Sequence, residues 1–121
     1  MHIIQVNIEK NRIYMKLSGY LNDEEVKVAA EKFKTEVQRL KPPVDIINDI
    51  SEFRPATAAG AEVIKEAQMF VAQYGVRHLV RVVKDKVSGL LQFSTTGKQA
   101  GLQGQLAESL AEAEKILDEM K

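Results

Sequence analysis

The feature that most constrains the fold is a change of hydrophobic period at Gly19. Before it, "HIIQVNIE" alternates, with Ile4, Val6 and Ile8 on one face, and "RIYMKLSG" alternates too, with Ile13, Met15 and Leu17 set against Arg12, Tyr14 and Lys16. Period two is the signature of strands, and the polar "EKNR" between them reads as a turn, so the chain opens with an antiparallel hairpin that has one wet face. After Gly19 the period becomes helical. Val26, Ala30, Phe33, Val37 and Leu40 recur at three and four through "NDEEVKVAAEKFKTEVQRL". Asn22 is placed to cap this helix, with Glu25 three residues on as in a capping box, and Asp23, Glu24 and Glu25 suit the positive end of its dipole. Pro42 and Pro43 stop it.

Strand and helix then alternate. "VDIIND" is a short β-rich run, read as a central buried strand. "TAAGAEVIKEAQMFVAQYG" is helical, with Val63, Ala67, Phe70, Val71 and Tyr74 on one face and Gly75 as its stop. "VRHLVRVV" is apolar on both faces, as a covered strand is. "DKVSGLLQFSTTGKQAG" reads as a helix with Val87, Leu90 and Leu91 as its stripe, and "LQGQLAE" as a short edge strand. "SLAEAEKILDEMK" closes the chain, capped by Ser109 with Glu112 and burying Ala113, Ile116, Leu117 and Met120. The expected order is β-β-α-β-α-β-α-β-α: an α/β fold, a mixed sheet that begins with an antiparallel hairpin, helices packed on it.

The length of 121 residues suits one domain, residues 1–121, with one core. Seventeen basic and seventeen acidic residues leave no net charge, which argues against bulk binding to nucleic acid. The absence of Cys removes disulfides, thiolate metal sites and a cysteine nucleophile. The start, "MHIIQVNIEKNR", has no secretory pattern, and no run reaches the roughly 18 apolar residues of a membrane span. The expected setting is the cytoplasm, of a bacterium.

Two local motifs, with the element order, resemble the STAS domain, the fold of SpoIIAA-like anti-sigma factor antagonists. "LSGYLN", Leu17 to Asn22, is similar to the family's strand ending in Leu-x-Gly-x-Leu before the first helix. "DISEFRPATAAG", Asp49 to Gly60, resembles its strand, Asp-Leu-Ser, short turn and Asp-Ser-Ser-Gly at a helix start; Asp49, Ile50, Ser51 and Gly60 keep their places. The resemblance implies a regulatory protein-interaction module whose partner is a kinase-like anti-sigma factor. In the family the first Ser of Asp-Ser-Ser-Gly is the regulatory phosphoserine. Here that position is Ala58, the second is Ala59 and the preceding Asp is Thr57, so the usual serine switch has no acceptor. The run "GLQGQLAESLAEAEKIL" departs from that pattern and resembles a divergent STAS-like group, part of which is placed with lipid-binding folds of the CRAL-TRIO type.

The residues allow a few candidate roles, each with a plainer alternative. Thr57 is a candidate displaced phosphosite, since phosphate there would lie near a helix N-terminus and Arg54; the plainer reading is a helix cap. Arg54 could meet an acidic partner or an anion, or be a solvated turn residue. "STTGK", Ser94 to Lys98, lacks the spacing and strand-to-helix setting of a phosphate loop. His2 and His78 have no second ligand at metal spacing. Asp45 and Asp49 share a strand face about 13 Å apart, too far for joint acid–base work. Asp49 is the better candidate because it ends the strand. No nucleophile, base and oxyanion site come together, so neither catalysis nor a cofactor is expected.

The leading expectation is a partner surface built from Asp49, Arg54, Thr57, Ala58 and Gly60 and the outer face of the following helix. The alternative is a site for a small apolar ligand or lipid in a cleft near Asp49, "PATAAG" and "FSTTG". A third is a homodimer through Tyr14 or an edge strand at residues 103–107.

Overall fold

The computed structural model describes residues 1–53, 57–84 and 104–120. Strands β1 (His2–Asn7) and β2 (Arg12–Gly19) pair antiparallel, with Val6 opposite Ile13 and His2 opposite Leu17. Asn11 closes their turn at φ 53°, and its side-chain amide donates to the carbonyls of Lys41 (2.6 Å) and Pro43 (3.0 Å). Asparagine tolerates this left-handed backbone better than most residues. Strand β3 (Val44–Phe53) lies parallel to β2, β4 (Val76–Val82) parallel to β3, and β5 (Gln105–Ala107) parallel to β4. The sheet order is β1-β2-β3-β4-β5. "VDIIND" is therefore central and "LQGQLAE" lies at an edge, as their patterns imply.

Helix α1 (Asp23–Val37) starts at Asn22, whose Oδ1 accepts from the Glu25 N–H at 2.8 Å. It buries Val26, Ala29, Ala30, Phe33 and Val37. Helix α2 (Ala58–Tyr74) ends at Gly75, where φ is +121° and a Cβ would stand 3.1 Å from that of Pro42. Glycine fits both conditions without strain. Helix α3 (Leu110–Glu119) starts at Ser109, whose Oγ accepts from the Glu112 N–H at 3.0 Å. The expected helix between β4 and β5, with its "FSTTG" and "STTGK" segments, lies outside the described residues.

Helices α1 and α2 cover one face of the sheet. Ile13, Phe33, Val37, Ile46, Val71 and Leu79 form the larger part of that core, and Leu17, Leu21, Val26, Ile50 and Val83 continue it. Helix α3 covers the opposite face over Ile47, Val80, Val82 and Ala107.

This second layer corrects the expectation of a wet hairpin face. Arg12 is only 2% exposed. Its Nη1 donates to Glu114 at 2.7 Å and its Nη2 to Asp118 at 3.1 Å. The two acids stand four residues apart on α3, hence on one side of it. Tyr14 is half-buried against the same layer, which removes it as an open dimer surface. Strand alternation assigned Arg12 and Tyr14 to the face away from Ile13 correctly, but not the acidic helix that covers that face.

Candidate functional site

The junction from β3 to α2 begins with an irregular strand end. Lys16 pairs with Asp49 and Ser18 with Glu52, so β3 carries one more residue than β2 over this span. Asp49 stabilises the bulge locally: its Oδ1 accepts from the Ser51 N–H at 3.1 Å and from the Ser51 hydroxyl at 2.6 Å. A short acidic side chain bonded to the backbone two residues on is a turn-forming contact. Asp49 thus turns toward its own chain. Asp45, on the same strand face, is 1% exposed and accepts two bonds from the Arg77 guanidinium, at 3.1 and 2.6 Å. The two carboxylates are in separate environments.

Thr57 is the N-cap of α2. Its backbone is extended (φ −64°, ψ 168°) and its Oγ1 accepts from the Gly60 N–H at 3.1 Å. The same hydroxyl donates to Asp23 Oδ1 at 2.6 Å, linking the first turns of α1 and α2. Both hydrogen-bonding capacities of the hydroxyl are engaged. Ala58 and Ala59 are exposed at the start of the helix, while Gly60 is buried in its first turn. The structure therefore brings Thr57, Ala58 and Gly60 into one helix start. Arg54 and Pro55 lie outside the described residues.

Two residues missed from the sequence belong to this end of the sheet. In the sequence Asp23 reads only as a dipole partner of α1, but its carboxylate accepts a hydrogen bond from Thr57, 34 positions away. Tyr20 is 59% exposed immediately after Gly19, which pairs with Phe53 at the end of β3. Exposed aromatic side chains are enriched at protein–protein contact surfaces. Among the described residues no group of three His, Cys, Asp or Glu could hold a metal ion. None of their helices is long and apolar enough to cross a membrane.

A separate feature lies between α1, α2 and the sheet. It is a cavity of about 60 Å³ with mainly apolar walls, including Leu17, Phe33, Ile46 and Val71, and it extends to Phe53. Arg81, Asn48 and Gln68 also line it. Asp49, Thr57, Ala58 and Gly60 do not, and by strand alternation Asp49 faces the other side of the sheet from Asn48 and Ile50. Pro55, Ala56 and "FSTTG", the rest of the expected cleft, lie outside the described residues; the apolar cavity that is described lies beneath α2. The alternation of Leu79, Arg81 and Val83 in "VRHLVRVV" was the signal available in the sequence: it puts Arg81 on a core-facing row.

Strand order and layering define a small α/β domain with a mixed sheet, an antiparallel N-terminal hairpin and a strand-to-helix junction presented at one sheet end. No protein-family model matches the chain, and no curated protein matches it. Among solved structures it is similar to the anti-sigma factor antagonist SpoIIAA in its unphosphorylated form, with a TM-score of 0.65, 11% identity and 100% of each chain covered. The chain has the SpoIIAA, or STAS, fold.

Proposed function

We propose that this chain is a non-catalytic regulatory module that binds a protein partner through the start of α2 and the neighbouring Tyr20. The observation that carries this reading is the α2 N-terminus, where Ala58 and Ala59 are exposed beside a capping Thr57. Small side chains there let a partner's backbone approach the helix end closely. The full-length likeness to an anti-sigma factor antagonist supports a partner of the anti-sigma, kinase-like kind. It is likeness of fold, and the partner is part of the proposal.

The reading includes control without the family's serine. Ala58 occupies that serine's place, and the Thr57 hydroxyl is bonded on both sides. A phosphate on Thr57 would replace the O–H that donates to Asp23 and set a dianion against that carboxylate, although the N-terminus of α2 itself favours negative charge. The module is accordingly read as constitutively competent. It acts in the cytoplasm.

The test is capture by the tagged chain from lysate of its own organism, in parallel with an Ala58→Glu variant. A carboxylate at the first helical position suits the dipole and leaves the core untouched. A stoichiometric protein captured by the wild type and lost with Ala58→Glu is the expected result. Equal capture by both would overturn the surface. Phosphate found on most Thr57 in the purified native protein would overturn the constitutive form.

A further inference from the structure

A charged residue stands among the apolar residues beneath α1 and α2 with no counter-ion among the described residues. Arg81 is 4% exposed, and its Nε and Nη2 have no hydrogen-bond partner. It pairs in register with Asn48 on the adjacent strand, so the two polar side chains lie abreast on the face beneath α1 and α2. Asn48 Oδ1 and Gln68 Oε1, the latter from α2, are likewise buried and unpartnered. All three line the same cavity of about 60 Å³, and among the described residues no acidic one lines it. A buried guanidinium is costly unless an anion meets it, because it does not give up its proton at ordinary pH.

We propose that the cavity is a binding site for a small aliphatic monocarboxylate, its carboxylate on Arg81 and its hydrocarbon chain against Leu17, Phe33 and Val71. The planar fork of arginine matches the two oxygens of a carboxylate. The side-chain amides of Asn48 and Gln68 can each turn through 180° to present N–H groups to the same anion. The apolar walls favour a short carbon chain over a fully hydrated ion such as inorganic phosphate. The volume sets the chain at a few carbons. This site is remote in role from the partner surface proposed above, lies on the opposite face of the sheet from Asp49, and gives the apolar-ligand alternative a location and a headgroup chemistry.

The experiment is a titration of the full chain with butyrate, butyramide and inorganic phosphate, followed by backbone amide chemical shifts and calorimetry. Saturable binding of butyrate is expected, with the largest shifts at residues 46–50 and 79–82. Butyramide, of nearly the same shape without the charge, binds at least about tenfold more weakly, and so does butyrate to Arg81→Met. If Arg81→Met fails to fold, the butyrate-to-butyramide ratio on the wild type decides alone. No butyrate binding would mean the cavity holds only water and would overturn the proposal. Butyramide or phosphate binding as tightly as butyrate would overturn it as well, and so would undiminished binding to a folded Arg81→Met.

Discussion

The Thr57 hydroxyl donates to the Asp23 carboxylate at 2.6 Å, and this one bond joins the starts of the two helices that cover the same sheet face. Because the oxygen also accepts from Gly60, it both caps α2 and ties it to α1. Thr57→Ala removes both functions. The expected loss is about 1 kcal/mol, the usual magnitude for a helix N-cap, with little added for the exposed bond to Asp23. Urea denaturation should give a lower midpoint with an unchanged slope. A midpoint equal to wild type would mean that the hydroxyl contributes nothing to folding.

Asp45 and Arg77 make a different kind of pair. The carboxylate is buried and the Arg77 side chain is 46% exposed, so the partner that can be deleted without a cavity is the arginine. Arg77→Met leaves the Asp45 charge buried and unpaired, at a cost of about 3 kcal/mol. Arg77→Lys keeps the charge but loses the two-toothed geometry, and its loss should be smaller. Equilibrium denaturation of the two variants should rank them in that order.

Acid stability follows from two carboxylates on different helices, Asp118 of α3 and Glu25 of α1, each held by cationic neighbours. The hydrogen bond from Arg12 holds the Asp118 carboxyl below its ordinary range, with Lys10 adding to the effect. Glu25 is held low chiefly by His2 and then by the amino terminus. A carboxyl with a depressed folded pKa stabilises the fold above its unfolded pKa and loses that contribution as pH falls through the folded value. Stability should therefore decline as pH drops below about 4. Asp118→Asn, which cannot titrate, should lose less stability than wild type between about pH 6 and pH 3. Parallel pH profiles would remove Asp118 from the account.

Much of this fold is legible in local sequence because its causes are local. The three caps at Asn22, Thr57 and Ser109 each involve a bond to a residue three positions on. The period of two in "HIIQVNIE" and "RIYMKLSG" fixes which side chains share a face. What alternation does not specify is what covers each face. Arg12 reads as a solvated residue until α3, about a hundred positions later, lays Glu114 and Asp118 over it. Asp23 reads as a dipole partner until Thr57 arrives beside it. The candidate site divided in the same way. Thr57, Ala58 and Gly60 are neighbours in sequence and stay together at a helix start. Asp49 precedes them by less than three turns' worth of helix, but strand geometry turns it to its own bulge. The cavity joins Asn48, Gln68 and Arg81 from three elements, and no spacing within one element announces such a meeting.

Tyr14 supplies an alkaline counterpart to the acid profile. Burial, with the Glu114 carboxylate close by, pushes its phenol from 10.0 up to about 12, against a smaller opposing effect of Arg12. The fold therefore favours the neutral phenol. With a raised folded pKa, this contribution is full below the unfolded value near 10 and is lost as pH rises through the folded value near 12. Absorbance at the phenolate band should show one of the three tyrosines ionising about two pH units later than an ordinary phenol. Tyr14→Phe should abolish that late step and flatten the fall in stability over the same interval. If the late step persists in Tyr14→Phe, another tyrosine is responsible, and the packing of α3 over the hairpin has no part in it.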